Sequence, residues 1–381
     1  MNLGTSEQKR TRLLLVSSIH RWNDVRIYHK EAKSLASQYD VTVIGVTSPG
    51  TAVAGISVIR LPEPLTVQRR LMNACRILRE GMFGGARVIH FHDPELIWVG
   101  LLMKLILKKV VYDVHEELRA VVQIRNWIPF PLKGVIGFLG HTMELFGEWL
   151  FDGVILAEDS YLENFPQNDK TVVVRNFVRV DNRPLSINLD KRNIFYAGSV
   201  TMARGVGDFL EAIALLQKED NSIGAIIAGH LLASEREAVT RLVATIPNPD
   251  AVQLVGYTDF DDLPSLASRC RVAVVPLRRV WNYDRSIPTK ILDYMNWGMP
   301  FVFSRLELTD ELFGDHSGGI SYTPGNVVEL AQKINRLLTD NTLQQRLRGE
   351  GREKVAQFAW EGEEIILFRL YHDILSSHRE L

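Results

Sequence analysis

Two short runs concentrate side chains able to move protons or grip hydroxyls. His90-Phe91-His92-Asp93 ends one β-branched run, and His115-Glu116-Glu117 follows the next. Adjacent parallel strands would set these groups side by side beyond their carboxyl ends, where doubly wound sheets bind ligands. An imidazole there can bond a hydroxyl or stabilise positive charge on a reacting carbon. The plainer alternative is a strand-end histidine hydrogen-bonded to backbone. The His90-x-His92-Asp93 spacing is also a chelating one, with His115 and Glu116 as further ligands. That reading leaves the second half of the chain without a purpose, and no metal is expected.

Two other stretches are suited to anions. In YAGSVTMARGVGDFLEA (Tyr196–Ala212), Gly198 ends a strand, Ser199 opens a polar loop, and Arg204-Gly205 precede an amphipathic helix. A guanidinium at a glycine-rich strand-to-helix turn offers paired donors to a phosphate. In SIPTKILDYMNWGMP (Ser286–Pro300), Ser286 is expected to cap and Pro288 to take the first helical position. The amides around Thr289, Lys290 and Ile291 then face outward at the positive end of the helix dipole, with Lys290 as a second cation. Asp293, one turn on, would repel phosphate but accept hydrogen bonds from ribose hydroxyls.

These residues need strands that end beside one another. Arg12–Ser17, Val41–Val46, Arg87–Phe91, Lys109–Asp113, Gly153–Ala157 and Thr171–Val174 are apolar runs of strand length, alternating with segments of helical period. The polar stretch Asn176–Arg192 interrupts the pattern and is expected to be a linker. Alternation resumes at Asn193–Ala197, Gly224–Ala228, Ala251–Val255, Arg271–Val275 and Pro300–Phe303, with helices between them. The expected fold class is α/β: two doubly wound, Rossmann-like domains facing each other across a cleft. The first spans 1–180, with a C-terminal helix 360–381 packing back on it; the second spans 190–358.

Bulk composition agrees. The 381 residues are 46% hydrophobic and 23% charged, an ordinary globular balance, and the formal net charge of -1 argues against nucleic acid as a partner. Two cysteines, Cys75 and Cys270, build neither a disulfide framework nor a zinc knuckle and fit a reducing compartment. The polar N-terminus lacks the apolar core of a signal peptide, and Leu96–Leu107 is too short to cross a bilayer. A cytoplasmic protein is expected, peripheral on the inner face of the plasma membrane. Ile124–Leu150 carries Trp127, Phe130, Phe138 and Trp149 close to Lys104, Lys108, Lys109, Arg125 and Lys133. That mixture suits an anionic membrane surface as partner, and equally a buried helix.

Taken together, the motifs resemble the family 4 glycosyltransferases of the GT-B fold, over nearly the whole chain. FHDPELIWVGLLMKLILKKVVYDVHEE (Phe91–Glu117) is similar to the first-domain core of that family, and VVVRNFVRVD (Val172–Asp181) to the segment entering its linker. YAGSVTMARG resembles its phosphate loop, VQLVGYTDFDDLPSLASRCRVAVVPL (Val252–Leu277) its base-binding region, and PTKILDYMNWGMPFVFS its nucleotide-sugar signature. The resemblance implies a retaining hexosyltransferase that moves a sugar from a nucleotide diphosphate, UDP by default, to a saccharide or lipid-linked saccharide in surface polysaccharide synthesis. It implies no cofactor.

By position, the resemblance makes Arg204 and Lys290 the phosphate cations, with His92 and His115 near the reacting carbon. Gly198, Ser199, Gly205, Ser286, Pro288, Thr289 and Ile291 surround the diphosphate, Asp293 holds the ribose, and the Gly256-Tyr257 backbone meets the base. His20, Asp93 and Glu116 lie on the acceptor side. Three departures stand out. The first phosphate-loop cation of the family falls at Ser199. Its donor-sugar carboxylate falls at Arg285, with Asp284 adjacent as substitute. The glycine pair after the first strand is missing, replaced by SSIHRWND (Ser17–Asp24). An epimerase of the same architecture, or an inactive nucleotide-sugar-binding homologue, is the alternative.

Overall fold

The computed structural model describes residues 10–115, 130–165, 168–181, 184–187, 191–314 and 317–376. Chain contacts divide it into two units, Met1–Asn176 with Glu361–Leu381, and Phe177–Trp360.

The first unit holds seven parallel strands: β1 (Arg12–Arg21), β2 (Asp40–Val46), β3 (Ile56–Leu61), β4 (Val88–Phe91), β5 (Lys109–Val114), β6 (Gly153–Leu156) and β7 (Thr171–Val173). Their order is β3-β2-β1-β4-β5-β6-β7, so the winding reverses between β1 and β4. Strand register sets Val16 opposite Phe91 and Phe91 opposite Tyr112, which aligns the carboxyl ends that carry Ser17, His92 and Asp113. Buried Leu14, Val16, Ile89, Phe91, Tyr112 and Val154 lead the core on one face of this sheet.

The second unit holds six parallel strands: β8 (Asn193–Ala197), β9 (Gly224–Ala228), β10 (Val252–Gly256), β11 (Val272–Val275), β12 (Phe301–Ser304) and β13 (Gly319–Tyr322). Their order is β10-β9-β8-β11-β12-β13, with the reversal between β8 and β11. Successive residues of β8 point to opposite faces and join separate cores: Ile194 and Tyr196 one, Phe195 and Ala197 the other. A sheet buried on both faces explains its unbroken apolar strands.

Several elements differ from the sequence-based expectation. β3 and β13 are edge strands in neither expected set; β3 is buried only at its two ends, Ile56 and Leu61, which hides it among polar residues. The helix Asn341–Lys354 was also unexpected, because its sequence is charged and holds two glycines. Gly351 is needed there: its neighbour Gly318 comes so close that a Cβ on Gly318 would lie 2.7 Å from the Gly351 Cα. The stretch Asn176–Arg192, expected as a linker, is strapped to the second unit along part of its length. Phe177, Val180, Leu185 and Ile187 pack on its core. The Asn296 side chain also donates to Arg179 O at 3.0 Å and accepts from Asp181 N at 2.9 Å.

The helix Trp360–Ser376 buries Leu367, Leu370, Tyr371 and Ile374, and Gly153 on β6 leaves room for Leu370 and Ile374. Among the described residues, no helix is long and apolar enough to cross a membrane.

Candidate active site

At the winding reversal of the first unit, Asp113 is the hub of a buried polar cluster. Arg26 donates to it through both prongs, Nε to Oδ2 at 2.7 Å and Nη2 to Oδ1 at 2.9 Å, and reaches Val174 O with Nη1 at 2.8 Å. Arg26 comes from a wide helical segment, Val25–Ala32, whose His29 N–H reaches back five residues to Asp24 O. The Asp24 side chain caps that segment by accepting from Arg26 N and Ile27 N.

Two histidines share the remaining capacity of Asp113. His92 Nδ1 lies 3.2 Å from Oδ2, His115 Nε2 lies 3.0 Å from the same oxygen, and the two ring nitrogens are 3.1 Å apart. The strands β4 and β5 bring together the two groups expected to meet. His92, however, is fully buried, whereas His115 and His20 reach the surface. The expectation that His92 touches the sugar is therefore corrected: it stands behind His115. His20 packs its ring 5.4 Å from that of His115.

The protonation states follow from burial and charge. Burial would raise the Asp113 pKa, but Arg26 and then His115 hold it well below the usual carboxylate range. Glu31 is pushed the other way, by burial first and then by the charge of Asp113. Burial lowers His92 to about 4 despite Asp113, and lowers His90 well below its ordinary value. Asp113 and Arg26 thus form a buried ion pair, with Glu31, His90 and His92 shifted toward their neutral forms around it.

Glu31, His90, His92 and Asp113 place one donor atom each within 4.8 Å of one another, a spacing compatible with a metal ion. Two features oppose one. Arg26 occupies both Asp113 oxygens and brings a fixed positive charge. The His90 and His92 rings stack at 4.5 Å and 29°, which does not converge their lone pairs. His90 Nδ1 instead meets Tyr371 OH at 2.9 Å. Asp93, placed on the acceptor side from sequence, is buried and accepts from Ser17 Oγ, Ser18 N and Ser18 Oγ, which ties β1 to β4. Glu116 lies outside the described residues.

The second unit gathers cations at its own reversal. Gly198 leaves β8 at φ +111°, and a Cβ there would stand 2.2 Å from Lys290 Cε. Gly205 takes φ +74° and admits the Pro276 carbonyl, which would lie 1.6 Å from a Cβ. Arg204, between them, sits over the Tyr283 ring at 5.7 Å, and Lys290 over Tyr196 at 5.8 Å. Partial burial, followed by the nearby Arg204 charge, lowers Lys290 to about 7, with Asp293 opposing the shift. Ser199 contributes its carbonyl to Tyr196 OH at 2.7 Å.

The helix beyond this turn begins at Thr289, one residue later than expected, with Pro288 at the cap position. Ser286 does not cap it; no side chain does. Ile291 N–H is taken by Pro288 O at 2.9 Å. The first turn thus opens on uncapped backbone, an arrangement that favours anions. Asp284, the expected stand-in for a donor-sugar carboxylate, is instead paired with Arg279 at 3.0 Å, and Arg285 lies over the Trp281 ring. A cavity of about 340 Å³ opens beyond β9 and β10, lined by Gly229, His230, Leu231, Arg236, Gly256 and Tyr257 among others. Arg26, Glu31 and Asp113 escaped the sequence reading, since buried ion pairs carry no local motif.

Residues 178–354 match the family described as "Glycosyl transferases group 1". A curated relative, the alpha-D-kanosaminyltransferase of Streptomyces kanamyceticus, is 26% identical over 168 residues, 44% of this chain and 40% of the relative. The match thus spans less than half the length of that relative. Among solved structures, the sucrose-phosphate synthase of Thermosynechococcus elongatus aligns with TM-score 0.74 at 18% identity, covering 97% of this chain and all of its own. An Anabaena protein crystallised with UDP and glucose aligns with TM-score 0.71 at 14% identity, covering 96% of this chain. Those two likenesses concern the fold, a two-domain α/β fold of the GT-B type. Residues 178–354 are thus similar to the group 1 glycosyl transferases, and the chain as a whole shares their GT-B fold.

Proposed function

We propose that the protein is a glycosyltransferase taking a hexose from a nucleoside diphosphate, with UDP the first candidate, and passing it to a saccharide or lipid-linked saccharide with retention. The observation that carries this reading is the convergence of Arg204, Lys290 and the uncapped helix start at Thr289 on the turn after β8. Two cations and backbone dipoles together match a diphosphate, not a single carboxylate. The nucleotide base is assigned to the cavity beside Gly256 and Tyr257, and the ribose to Asp293. The family match over residues 178–354 supports the assignment, as does the UDP bound by the Anabaena protein.

In the proposed step, the bond from the anomeric carbon to the diphosphate oxygen breaks as the acceptor oxygen bonds that carbon. The acceptor proton passes to the departing phosphate oxygen. Arg204 and Lys290 stabilise the charge growing on that phosphate. A role in surface polysaccharide synthesis, at an anionic membrane surface, would suit a lipid-linked acceptor.

The test is a thermal-shift panel of UDP, GDP, TDP and CDP, since a ligand of the native state raises Tm, followed by release of nucleoside diphosphate from the matching sugar donor. A rise with one nucleotide and slow donor hydrolysis support the reading. Absence of any shift at millimolar nucleotide removes it.

A further inference from the structure

Three helices, Val67–Phe83, Ile97–Leu105 and Phe130–Leu150, lie side by side on the first sheet as crossovers between β3 and β6. A helix joining parallel strands runs back along the sheet, so each ends beside the amino end of the next strand. These ends lie opposite the histidine edge. Three contacts show that they form one surface. Lys108 Nζ donates to Ala86 O at 2.6 Å, Lys104 Nζ meets Asp152 Oδ2 at 2.6 Å, and Lys109 Nζ meets Asp152 Oδ1 at 3.2 Å.

This edge is apolar where it meets water. Leu107 is 87% exposed, Leu105 and Phe83 78%, and Trp149 73%, with Ile106 and Phe146 exposed between them. The outward face of Phe130–Leu150 continues the patch through Leu132, Val135, Phe138, Leu139 and Met143. Contiguous exposed patches of this kind mark interaction surfaces in soluble folds. Leu107 adds a second signal. Its φ of +59° is the only positive value among described non-glycine residues, in a region where a side chain costs backbone energy. Neither backbone geometry nor packing within the chain calls for a leucine at that tip.

Charge narrows the occupant. Lys104 and Lys108 flank the leucine tip, and Arg76 and Arg79 project from the exposed side of the last turns of Val67–Phe83. Asp152, the acid in this turn cluster, is neutralised by two of the lysines. A second copy docked about a twofold axis would set these cations against themselves. An anionic bilayer presents the complementary charge and accepts apolar tips beneath it. Because no described helix is long and apolar enough to cross the membrane, this edge would rest on the bilayer.

We propose that the amino-terminal edge of the first sheet, tipped by Leu105–Leu107, docks on an anionic lipid bilayer. The proposal goes beyond the transferase reading: this edge lies opposite the histidines, so docking there concerns where the protein rests and not how an acceptor enters. The experiment is flotation of the full chain with phosphatidylcholine vesicles, with and without phosphatidylglycerol, for the wild type and a Leu105→Ser/Leu107→Gly variant. Glycine is at ease at positive φ, so this variant keeps the fold, which its melting curve verifies. Flotation with anionic vesicles, weakened by salt and reduced roughly tenfold or more in the variant, supports the proposal. No flotation of the wild type, or equal flotation of both proteins, overturns it. So does a concentration-dependent dimer lost in the variant without lipid, which assigns the face to a second copy. The UDP thermal shift is read on the same two proteins. Lipid binding without a UDP response would sink the donor reading alone, and a UDP response without flotation would sink this one alone.

Discussion

Lys290 passes through the space where a side chain on Gly198 would begin, its Cε 2.2 Å from the position of that missing Cβ. The glycine after β8 therefore does more than turn the chain, because it lets a lysine from a distant helix reach the phosphate turn. Gly198→Ala should push Lys290 aside, weaken UDP binding about tenfold, and cost about 1–3 kcal/mol through its φ of +111°. Calorimetric titration on Gly198→Ala, Lys290→Ala and the double variant checks the coupling. If the double variant is worse by the full sum of the singles, the two residues act independently and the relationship has no functional weight.

The lowered Lys290 pKa makes binding pH-dependent in a definite direction. Near pH 7 the amine is only partly charged, and a bound diphosphate favours its charged form. Binding should thus take up a proton, and affinity should fall above pH 7 by up to about tenfold per unit. The ligand phosphate, ionising at about 6, is already fully charged there. Lys290→Arg keeps its charge throughout and should flatten the profile. A wild-type profile as flat as that of the variant would contradict the assignment.

Arg204 is expected to act on turnover, and Asp293 on nucleotide affinity. Arg204→Ala should lower kcat by about 10²–10³, the usual cost of removing one donor from a developing anion. Asp293→Ala should raise KM for the donor with a smaller effect on kcat. Steady-state kinetics separate the two, and unchanged constants in both variants would remove the site.

Asp113 and His115 touch each other yet should fail in different ways. Asp113→Asn leaves the buried Arg26 charge uncompensated, and should cost about 3–5 kcal/mol in a urea titration. His115→Gln exposes no such charge, so it should keep the fold and lower turnover. A stable Asp113→Asn protein would mean that Arg26 finds another anion, with Glu31 the nearest carboxyl at 3.1 Å.

The sequence by itself determined the class of fold and marked the glycine turns at Gly198 and Gly205. Both are local: apolar runs of strand length mark a parallel sheet, and glycine, arginine and proline mark the turns that present backbone donors. It also announced that His92 and His115 would meet, because strand ends that carry polar residues in a parallel sheet share one edge. Only the tertiary structure decided which histidine is reachable, since burial of His92 depends on Arg26 and Glu31 arriving from a distant segment. It alone paired Asp284 with Arg279, left the Thr289 helix without the Ser286 cap, and gathered Phe83, Leu107 and Trp149 onto one edge. Such outcomes depend on distances between residues remote in the chain, and sequence patterns encode short-range periodicity far better than they encode those distances.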